Sequence, residues 1–135
     1  MPEEKTIRVK GIDHFLVVSR DLEKTRAFYC DLLGMEQLPR PDFSFPGLWF
    51  EAGNTQVHVT LEGEDAGTAG QGEFTGNYPA QGQHLAFEID DAAEAASHLE
   101  SLEIEIVDGP YLRPDGPLQF YIYDPDGYLI ELFSR

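Results

Sequence analysis

The sequence predicts an α+β fold in which two βαβββ modules form a curved mixed-sheet cleft, with the helices on the outer face. Both halves of the chain have the same order of patterns: an alternating apolar segment, a segment with helical periodicity, and three further strands. Similar residue types also recur at near-equal offsets, since His84 lies 70 residues after His14 and Glu131 lies 73 residues after His58. We therefore interpret the chain as two copies of one structural unit.

The repeat divides a single predicted domain, residues 1–135, into two modules. Module one is assigned to residues 11–62 and module two to residues 84–133. Between them, residues 63–83 are rich in glycine, which predicts a linker that forms a loop over a site. A chain of 135 residues is long enough for one such domain with a real hydrophobic core.

Composition argues against several classes of function. The formal net charge of −16 disfavours a cationic face for nucleic acid and also disfavours adhesion to an anionic membrane. No apolar run approaches the length of a membrane span, and the charged segment Met1–Gly11 lacks the apolar stretch of a signal peptide. A cytoplasmic protein is therefore expected, with neither nucleic acid nor membrane as a partner.

Module one is predicted to begin with a strand and a capped helix. The strand covers Ile12–Val18, and Asp21 caps a helix that ends at Gly34, where glycine favours the left-handed conformation. A short strand at Met35–Leu38 precedes a hairpin with a tight Gly53-Asn54 turn. The hairpin strands are predicted for Leu48–Ala52 and Thr55–Leu61.

Module two is predicted to repeat this order. Its first strand covers His84–Ile89, and Asp90-Asp91 caps a helix that runs to about Leu102. A strand is predicted at Ile104–Val107, followed by a hairpin around Asp124-Pro-Asp-Gly127. The strands of this hairpin are Leu118–Tyr123 and Tyr128–Phe133.

The first hairpin is expected to present a polar face with His58 at its centre. Because side chains alternate along a strand, Gln56 and Thr60 share the face of His58. A two-residue turn pairs Trp49 with His58, so Trp49 joins the same face. We interpret Trp49, Gln56 and Thr60 as wall residues of the cleft.

The second hairpin has two possible registers, which place Glu131 differently. A type I turn followed by a left-handed glycine pairs Tyr121 with Glu131 and brings Tyr123 to the same face. A plain two-residue turn would instead mix Glu131 with Phe120. We prefer the bulged register because it leaves a wholly apolar face for the helix, and we therefore add Tyr123 to the pocket wall.

Four strand residues carry the predicted chemistry, namely His14, His58, His84 and Glu131. Neutral imidazoles together with a carboxylate suit one divalent metal per site: Zn, Ni, Co, Mn or Fe(II). If the polar faces of the two sheets face each other, the four side chains line one cleft. Arg40 and Arg113 are loop arginines that could bind an acidic group of a substrate, although surface roles are expected for both.

With these residues assembled, the chain resembles the vicinal oxygen chelate superfamily. This superfamily includes glyoxalase I, fosfomycin-resistance thiol transferases, methylmalonyl-CoA epimerase, extradiol dioxygenases and bleomycin-resistance proteins. The resemblance extends from Gly11 to Phe133. Its most specific parts are Ile12-Asp-His14, Phe28-Tyr-Cys-Asp-Leu-Leu-Gly34, His84-Leu-Ala-Phe87 and Asp124-Pro-Asp-Gly-Tyr-Leu-Ile-Glu131.

The resemblance implies roles for individual residues. His14, His84 and Glu131 match the usual metal ligands of the family. His58 matches the fourth ligand position, which is Glu in bacterial glyoxalase I and Gln in the epimerase. Tyr121 matches a tyrosine that contacts substrate in the thiol transferases and acts in extradiol cleavage. Family members often build the cleft between two chains, so a homodimer is expected, and the sequence leaves open whether the metal site lies within or between subunits.

The resulting hypothesis is a divalent-metal enzyme that chelates two vicinal oxygens of a small-molecule substrate and stabilises an oxyanion. A lyase or isomerase reaction is favoured, with Glu131, or else His58, as the residue that moves a proton and Tyr121 in contact with substrate. The alternatives are a ring-cleaving extradiol-type dioxygenase and a non-catalytic protein that sequesters a small molecule. Val18 stands where glyoxalase I has an arginine that binds glutathione, and the sequence leaves open whether glutathione or another thiol is used.

Overall fold

The computed structural model describes residues 5–135, which form two four-stranded sheets and few helices. In chain order the elements are β1 (His14–Ser19), α1 (Leu22–Arg26), β2 (Glu36–Leu38), β3 (Gly47–Ala52), β4 (Thr55–Leu61), β5 (Leu85–Glu88), α2 (Ala92–Ser101), β6 (Asp108–Leu112), β7 (Leu118–Tyr123) and β8 (Leu129–Ser134). The sheet orders are β1-β4-β3-β2 and β5-β8-β7-β6, so each half of the chain builds one sheet with the same topology. This arrangement confirms the α+β prediction.

The first helix begins as predicted and then changes its winding. The Asp21 carboxylate accepts hydrogen bonds from the backbone N–H groups of Glu23 and Lys24, at 3.0 and 3.2 Å, which is the geometry of an N-cap. The chain continues as a π-helix over Ala27–Leu32 and turns at Gly34, whose φ is 76°. A periodicity of apolar residues over so short a segment does not separate α from π winding, so the sequence indicated only a helix.

Both hairpins have the predicted register. Trp49 lies opposite His58 in β3 and β4, and Tyr121 lies opposite Glu131 in β7 and β8. Gly127 has a φ of 91° at the turn of the second hairpin, as the bulged turn requires. The helix-facing side of this hairpin is fully buried and apolar, and its members are Phe120, Ile122, Ile130 and Leu132.

The predicted strand at Ile104–Val107 is wrong. This segment has no strand structure, and the strand of that part of the chain, β6, covers Asp108–Leu112. Ile104 and Ile106 are apolar because they pack against the core, not because they pair in a sheet. Contact with β7 begins only where the N–H of Val107 donates to the carbonyl of Tyr121, at 2.7 Å.

The Asp124-Pro-Asp-Gly127 turn also joins the two modules. Tyr29, which is fully buried in the π-helical segment of module one, donates its hydroxyl to Asp124 Oδ2 at 2.7 Å. Asp124 Oδ1 accepts from the backbone N–H groups of Asp126 and Tyr128, each at 2.9 Å. Burial raises the pKa of Asp124, and the hydrogen bonds from Tyr29 and the backbone partly oppose that rise.

A second buried carboxylate makes the same connection. Asp126 accepts from the backbone N–H of Arg20 at 3.0 Å and from the hydroxyl of Thr25 at 3.2 Å. The hydroxyl of Tyr128 accepts from the N–H of Val18 in β1 at 2.9 Å. These polar contacts fix the turn of module two against module one.

No helix within residues 5–135 has the length and apolar character needed to cross a bilayer.

Candidate metal centre

The predicted ligands are held by strands or by residues next to them. His58 lies in the middle of β4 and Glu131 is the third residue of β8. His14 is the first residue of β1, and His84 directly precedes β5, so these two lie at strand entrances. Within each module, the parallel pairing of the first and last strands brings one entrance residue close to one central residue.

In module one His58 stacks on His14 and on Trp49. The ring centroids of His14 and His58 are 4.0 Å apart with an interplanar angle of 12°, and those of Trp49 and His58 are 4.2 Å apart with an angle of 5°. His58 is buried, whereas His14 is exposed. This half of the site therefore contains two imidazoles on an aromatic wall.

Hydrogen bonds determine which nitrogens of these histidines are available. His14 Nδ1 lies 2.8 Å from Asp13 Oδ2, so Nδ1–H donates to the carboxylate and Nε2 keeps its lone pair. His58 Nε2 lies 2.8 Å from Gln56 Oε1 and donates to this amide oxygen. The pKa of His58 is lowered by burial and by the charge of His14, so the neutral form needed for metal binding is favoured.

In module two a histidine and a carboxylate are placed as two ligands of one cation would be. His84 Nδ1 donates to the carbonyl of Gly82 at 2.8 Å. In this tautomer the lone pair is on Nε2, so Nε2 is the nitrogen that can bind a metal. That Nε2 lies 3.2 Å from Glu131 Oε1. Two ligands bound to one ion at about 2.1 Å, at angles between a right angle and the tetrahedral value, are separated by about 3.0 to 3.4 Å. The 3.2 Å separation of His84 Nε2 and Glu131 Oε1 falls within this range, so one cation could bind both atoms.

Tyr121 and a glutamine complete a hydrogen-bonded chain behind Glu131. The Tyr121 hydroxyl donates to Glu131 Oε1 at 2.8 Å and accepts from Gln119 Nε2 at 3.2 Å. All three side chains are buried. Burial and the hydrogen bond to Glu131 raise the pKa of Tyr121 far above its ordinary value, so the phenol stays protonated and acts as a donor.

The single chain does not bring the four predicted ligands together. In the part of the chain that the structure describes, no group of three or more His, Cys, Asp or Glu side chains is close enough to hold a metal. The donors instead form two pairs, His14 with His58 and His84 with Glu131. Each pair fits a divalent cation in donor type, and each provides only half of a four-ligand set.

Comparison with known proteins identifies the family. Residues 11–132 match the model of the Glyoxalase/Bleomycin resistance protein/Dioxygenase superfamily. The chain belongs to this superfamily. It is 32% identical over 137 residues to the glyoxalase domain-containing protein RDO1 of Mycosarcoma maydis, covering 98% of this chain and 72% of the relative. It is 30% identical over 139 residues to a lactoylglutathione lyase of Neisseria meningitidis serogroup A, covering 90% and 88%.

A solved structure of this glyoxalase superfamily has the same architecture. The crystal structure of a glyoxalase family protein from Bacillus anthracis superposes with a TM-score of 0.72 at 30% sequence identity. The superposition covers 97% of this chain and 99% of the other. The likeness therefore includes both modules and the strands that hold the candidate ligands.

The wall residues of this glyoxalase superfamily protein differ in their exposure. Trp49, Gln56 and Thr60 are half-buried on the face of His58, as predicted. Tyr123 is 41% exposed and contributes less to a closed wall than Tyr121, which is 2% exposed. A cavity of about 700 Å³ borders Thr60 and is lined in part by Leu16, Val18, Phe45 and Pro46.

Two further residues at the site were not predicted, since Asp13 contacts His14 and Gln119 contacts Tyr121. Arg40, for which a surface role was expected, lies close enough to His58 that its charge helps to lower the pKa of that histidine. Gln119 could have been found by strand alternation, because it is two residues before Tyr121 and therefore on the same face. The position of Arg40 depends on a loop without periodicity, so the sequence pattern carried no signal for it.

Proposed function

We propose that this glyoxalase superfamily protein is a divalent-metal-dependent enzyme whose metal site is assembled between two copies of the chain. His14 and His58 of one subunit would be completed by the partner subunit's His84 and the partner subunit's Glu131. The observation that carries the proposal is the 3.2 Å separation of His84 Nε2 and Glu131 Oε1, in a pair that lacks further ligands within residues 5–135 of its own chain. A homodimer follows from this arrangement, because each chain contributes both halves.

The bound ion would act as a Lewis acid on two vicinal oxygens of a small-molecule substrate. Glu131 is the residue best placed to move a proton. Its hydrogen bond from Tyr121 and its contact with His84 both involve Oε1, so Oε2 is the oxygen left to face substrate. Tyr121 keeps the carboxylate fixed, and its raised pKa prevents it from competing as a base.

A lyase or isomerase reaction is the proposed chemistry. Such reactions take a proton from one carbon of the substrate and return it elsewhere, and one carboxylate can perform both steps. The buried setting of Glu131 limits access of water to the reacting carbon. In the proposed dimer, the stacked rings of His14, His58 and Trp49 would form an aromatic wall opposite this carboxylate.

Subunit mixing tests the proposal. Neither His58→Ala nor Glu131→Ala homodimers retain a complete site if the site lies between subunits. A mixed dimer of the two variants contains one intact site, because the Glu131→Ala chain supplies His14 and His58 while the His58→Ala chain supplies His84 and Glu131. Mixing after mild unfolding and refolding should therefore restore tight binding of one Zn²⁺ per mixed dimer.

The control uses His98→Ala, which removes an exposed histidine on α2, away from all four ligands. This variant should bind metal like the wild-type protein, and mixing it with Glu131→Ala should give the stoichiometry expected from its own intact chains. If the mixed His58→Ala and Glu131→Ala sample recovers no metal binding while the wild-type dimer binds Zn²⁺, the site does not lie between subunits. If the wild-type protein binds no divalent metal at all, the proposed function fails.

A further inference from the structure

An arginine lies against two stacked aromatic rings beside the half-site of module one. We name Arg40, Phe43 and Phe45 the Arg40 cluster. The guanidinium carbon of Arg40 is 4.8 Å from the ring centroid of Phe43 and 4.9 Å from that of Phe45, and the two rings stack at 5.3 Å. Two cation–π contacts and a hydrogen bond from Arg40 Nη1 to the carbonyl of Phe45, at 3.0 Å, hold the side chain in one place.

The guanidinium occupies space that a side chain at position 47 would need. A Cβ atom on Gly47 would lie 2.8 Å from Arg40 Nη2 and 2.9 Å from its guanidinium carbon. Gly47 and Trp49 are two residues apart on β3, so they share the face that carries His58, at a separation of about 7 Å along the strand. Arg40 is therefore positioned over the same sheet face as the metal ligands.

The equivalent position in module two is filled by a different residue. Gly47 precedes Trp49 by two residues just as Gln119 precedes Tyr121, and Trp49 and Tyr121 pair with His58 and Glu131. Gln119 fills its position with its own side chain and donates to Tyr121. Module one has a glycine at this position, and the guanidinium of Arg40 occupies the space that a side chain would fill.

Most N–H donors of the Arg40 guanidinium make no hydrogen bond within residues 5–135 and could bind a ligand. An arginine has five N–H donors, and one hydrogen bond to an acceptor within residues 5–135 is found for Arg40. Within these residues no carboxylate lies within 4.0 Å of it, although the chain has 25 acidic and 9 basic residues. Other arginines do contact carboxylates, namely Arg20, Arg26, Arg113 and Arg135.

We infer that Arg40 binds an anionic group of the substrate, a carboxylate or a phosphoryl group, while the vicinal oxygens of the same molecule reach the metal site. This inference rests on the proposed function and narrows its substrate class to small acidic molecules. Glu62, Glu64 and Asp65 border the neighbouring cavity and repel anions there, so the guanidinium is the favourable place for the negative group.

The test measures ligand binding to the Zn²⁺-loaded protein by the fluorescence of Trp49, the single tryptophan of the chain, which stacks on His58. The probes are α-hydroxyglutarate and α-hydroxyvalerate, which carry the same metal-chelating group and differ in the terminal carboxylate. Phosphoglycerate and glycerate form the matching pair for a phosphoryl group. The wild-type protein should bind the acidic member of at least one pair about tenfold more tightly, and the pair with the larger ratio identifies the group.

Arg40→Gln should reduce this preference to about twofold or less, since only screened long-range attraction is left. Arg113→Gln removes the same charge from a loop arginine that is already paired with Asp115, and it should keep the wild-type preference. Arg40→Lys keeps the charge without the planar fork and should retain part of the preference. Thermal unfolding and Zn²⁺ affinity confirm that each variant is folded with its metal site intact.

Three results would overturn the inference. A wild-type protein that binds Zn²⁺ and the probes without preference for the acidic members would refute the role of Arg40 and leave the metal enzyme in place. An Arg40→Gln variant that keeps the full preference would do the same. Absence of Zn²⁺ binding by the wild-type protein would remove both the proposed function and this inference.

Discussion

Module one and module two place different chemistry at equivalent strand positions. The opposed pair Trp49 and His58 in the first sheet corresponds to Tyr121 and Glu131 in the second. In module one these side chains stack as flat rings, and in module two they are joined by a hydrogen bond of 2.8 Å. The same scaffold therefore holds a half-site of stacked aromatic rings in module one and a half-site with a hydrogen-bonded carboxylate in module two.

This difference indicates that the two modules have different functions at the proposed site. The pKa of His58 is lowered, chiefly by burial, which favours the neutral form of its imidazole. In the proposed site the carboxylate of Glu131 would supply the negative charge that a divalent cation requires. Tyr121 and Gln119 restrict the orientation of this carboxylate. We expect charge compensation and proton movement to depend on module two, and substrate contact to depend mainly on module one.

Loss of the carboxylate should therefore have the largest effect on metal binding. Glu131→Ala removes the anionic ligand and is expected to weaken Zn²⁺ binding by more than about 100-fold, beyond the range seen for residues that only support ligands. His58→Ala removes a neutral ligand and should weaken it less. Competition with a chelator measures both affinities, with His98→Ala as the control. A larger loss for His58→Ala would contradict the division between the halves.

The contact between the modules should dominate stability. Asp124→Ala leaves the Tyr29 hydroxyl and two backbone N–H groups without their acceptor, so the free energy of unfolding should fall by about 3 kcal/mol. Urea unfolding followed by circular dichroism measures the loss. The exposed Asp42 offers a matched control, and Asp42→Ala should change stability little. Equal effects of the two substitutions would show that the buried hydrogen bonds do not hold the modules together.

Equivalent aromatic positions should respond differently to loss of their polar atoms. Tyr121→Phe removes the hydroxyl that fixes Glu131 and should weaken Zn²⁺ binding about tenfold, as expected for a residue that orients a ligand. Trp49→Phe keeps an aromatic ring against His58 and should change the affinity by less than about twofold. Calorimetric titration of both variants makes the comparison. It fails if the tryptophan variant loses as much affinity as the tyrosine variant.

Gln56 should restrain metal binding in module one. In the structure its amide oxygen accepts from His58 Nε2 at 2.8 Å, and binding through this nitrogen requires the bond to break. Gln56→Ala removes that competition and should tighten Zn²⁺ binding about threefold, which is within the net value of one neutral hydrogen bond. Weaker binding by the variant would instead make Gln56 a support of the metal site. Unchanged binding would indicate coordination through Nδ1.

The pH dependence of stability should carry a modest contribution from Asp124. Burial raises its pKa in the folded state, so the folded protein binds this proton more tightly than the unfolded chain does. The resulting stability is fully present below the pKa of unfolded aspartate, about 3.9, and is lost as pH rises through the folded value. Asp124→Asn cannot ionise, so its stability relative to wild type should improve as pH rises. The opposite trend in urea unfolding would show that the hydrogen bonds from Tyr29 and the backbone outweigh burial and lower the pKa of Asp124 below its ordinary value.

Much of the fold could be predicted because turn chemistry sets strand register. The Gly53-Asn54 and Asp124-Pro-Asp-Gly127 turns placed Trp49 opposite His58 and Tyr121 opposite Glu131, and the structure confirms both pairs. Register is local information, since a turn of known length leaves one alternating pattern that buries the apolar side chains. The strand predicted at Ile104–Val107 was wrong because no turn sets the register there. Apolar residues that pack on the core without pairing in a sheet have the same sequence pattern as a strand.

The grouping of the candidate ligands could not be predicted in the same way. Strand alternation assigns His14 and His84 to faces, but it does not fix the distance between two sheets. The buried roles of Asp124 and Asp126 were hidden because aspartates in a turn are ordinarily explained by the turn itself. Arg40 was assigned a surface role for a similar reason, since loops have no period from which a neighbour can be derived.

The buried turn of module two also makes the association of the modules selective. Two units with the same topology could pair like with like or exchange between chains, as in domain swapping. Asp124 and Asp126 come only from module two, and their partners Tyr29 and Thr25 come only from module one. A pairing of two second modules would bury these carboxylates without the Tyr29 and Thr25 hydroxyls that donate to them here, which is unfavourable. Unlike partners at one turn thus disfavour the pairing of a module with a second module of its own kind.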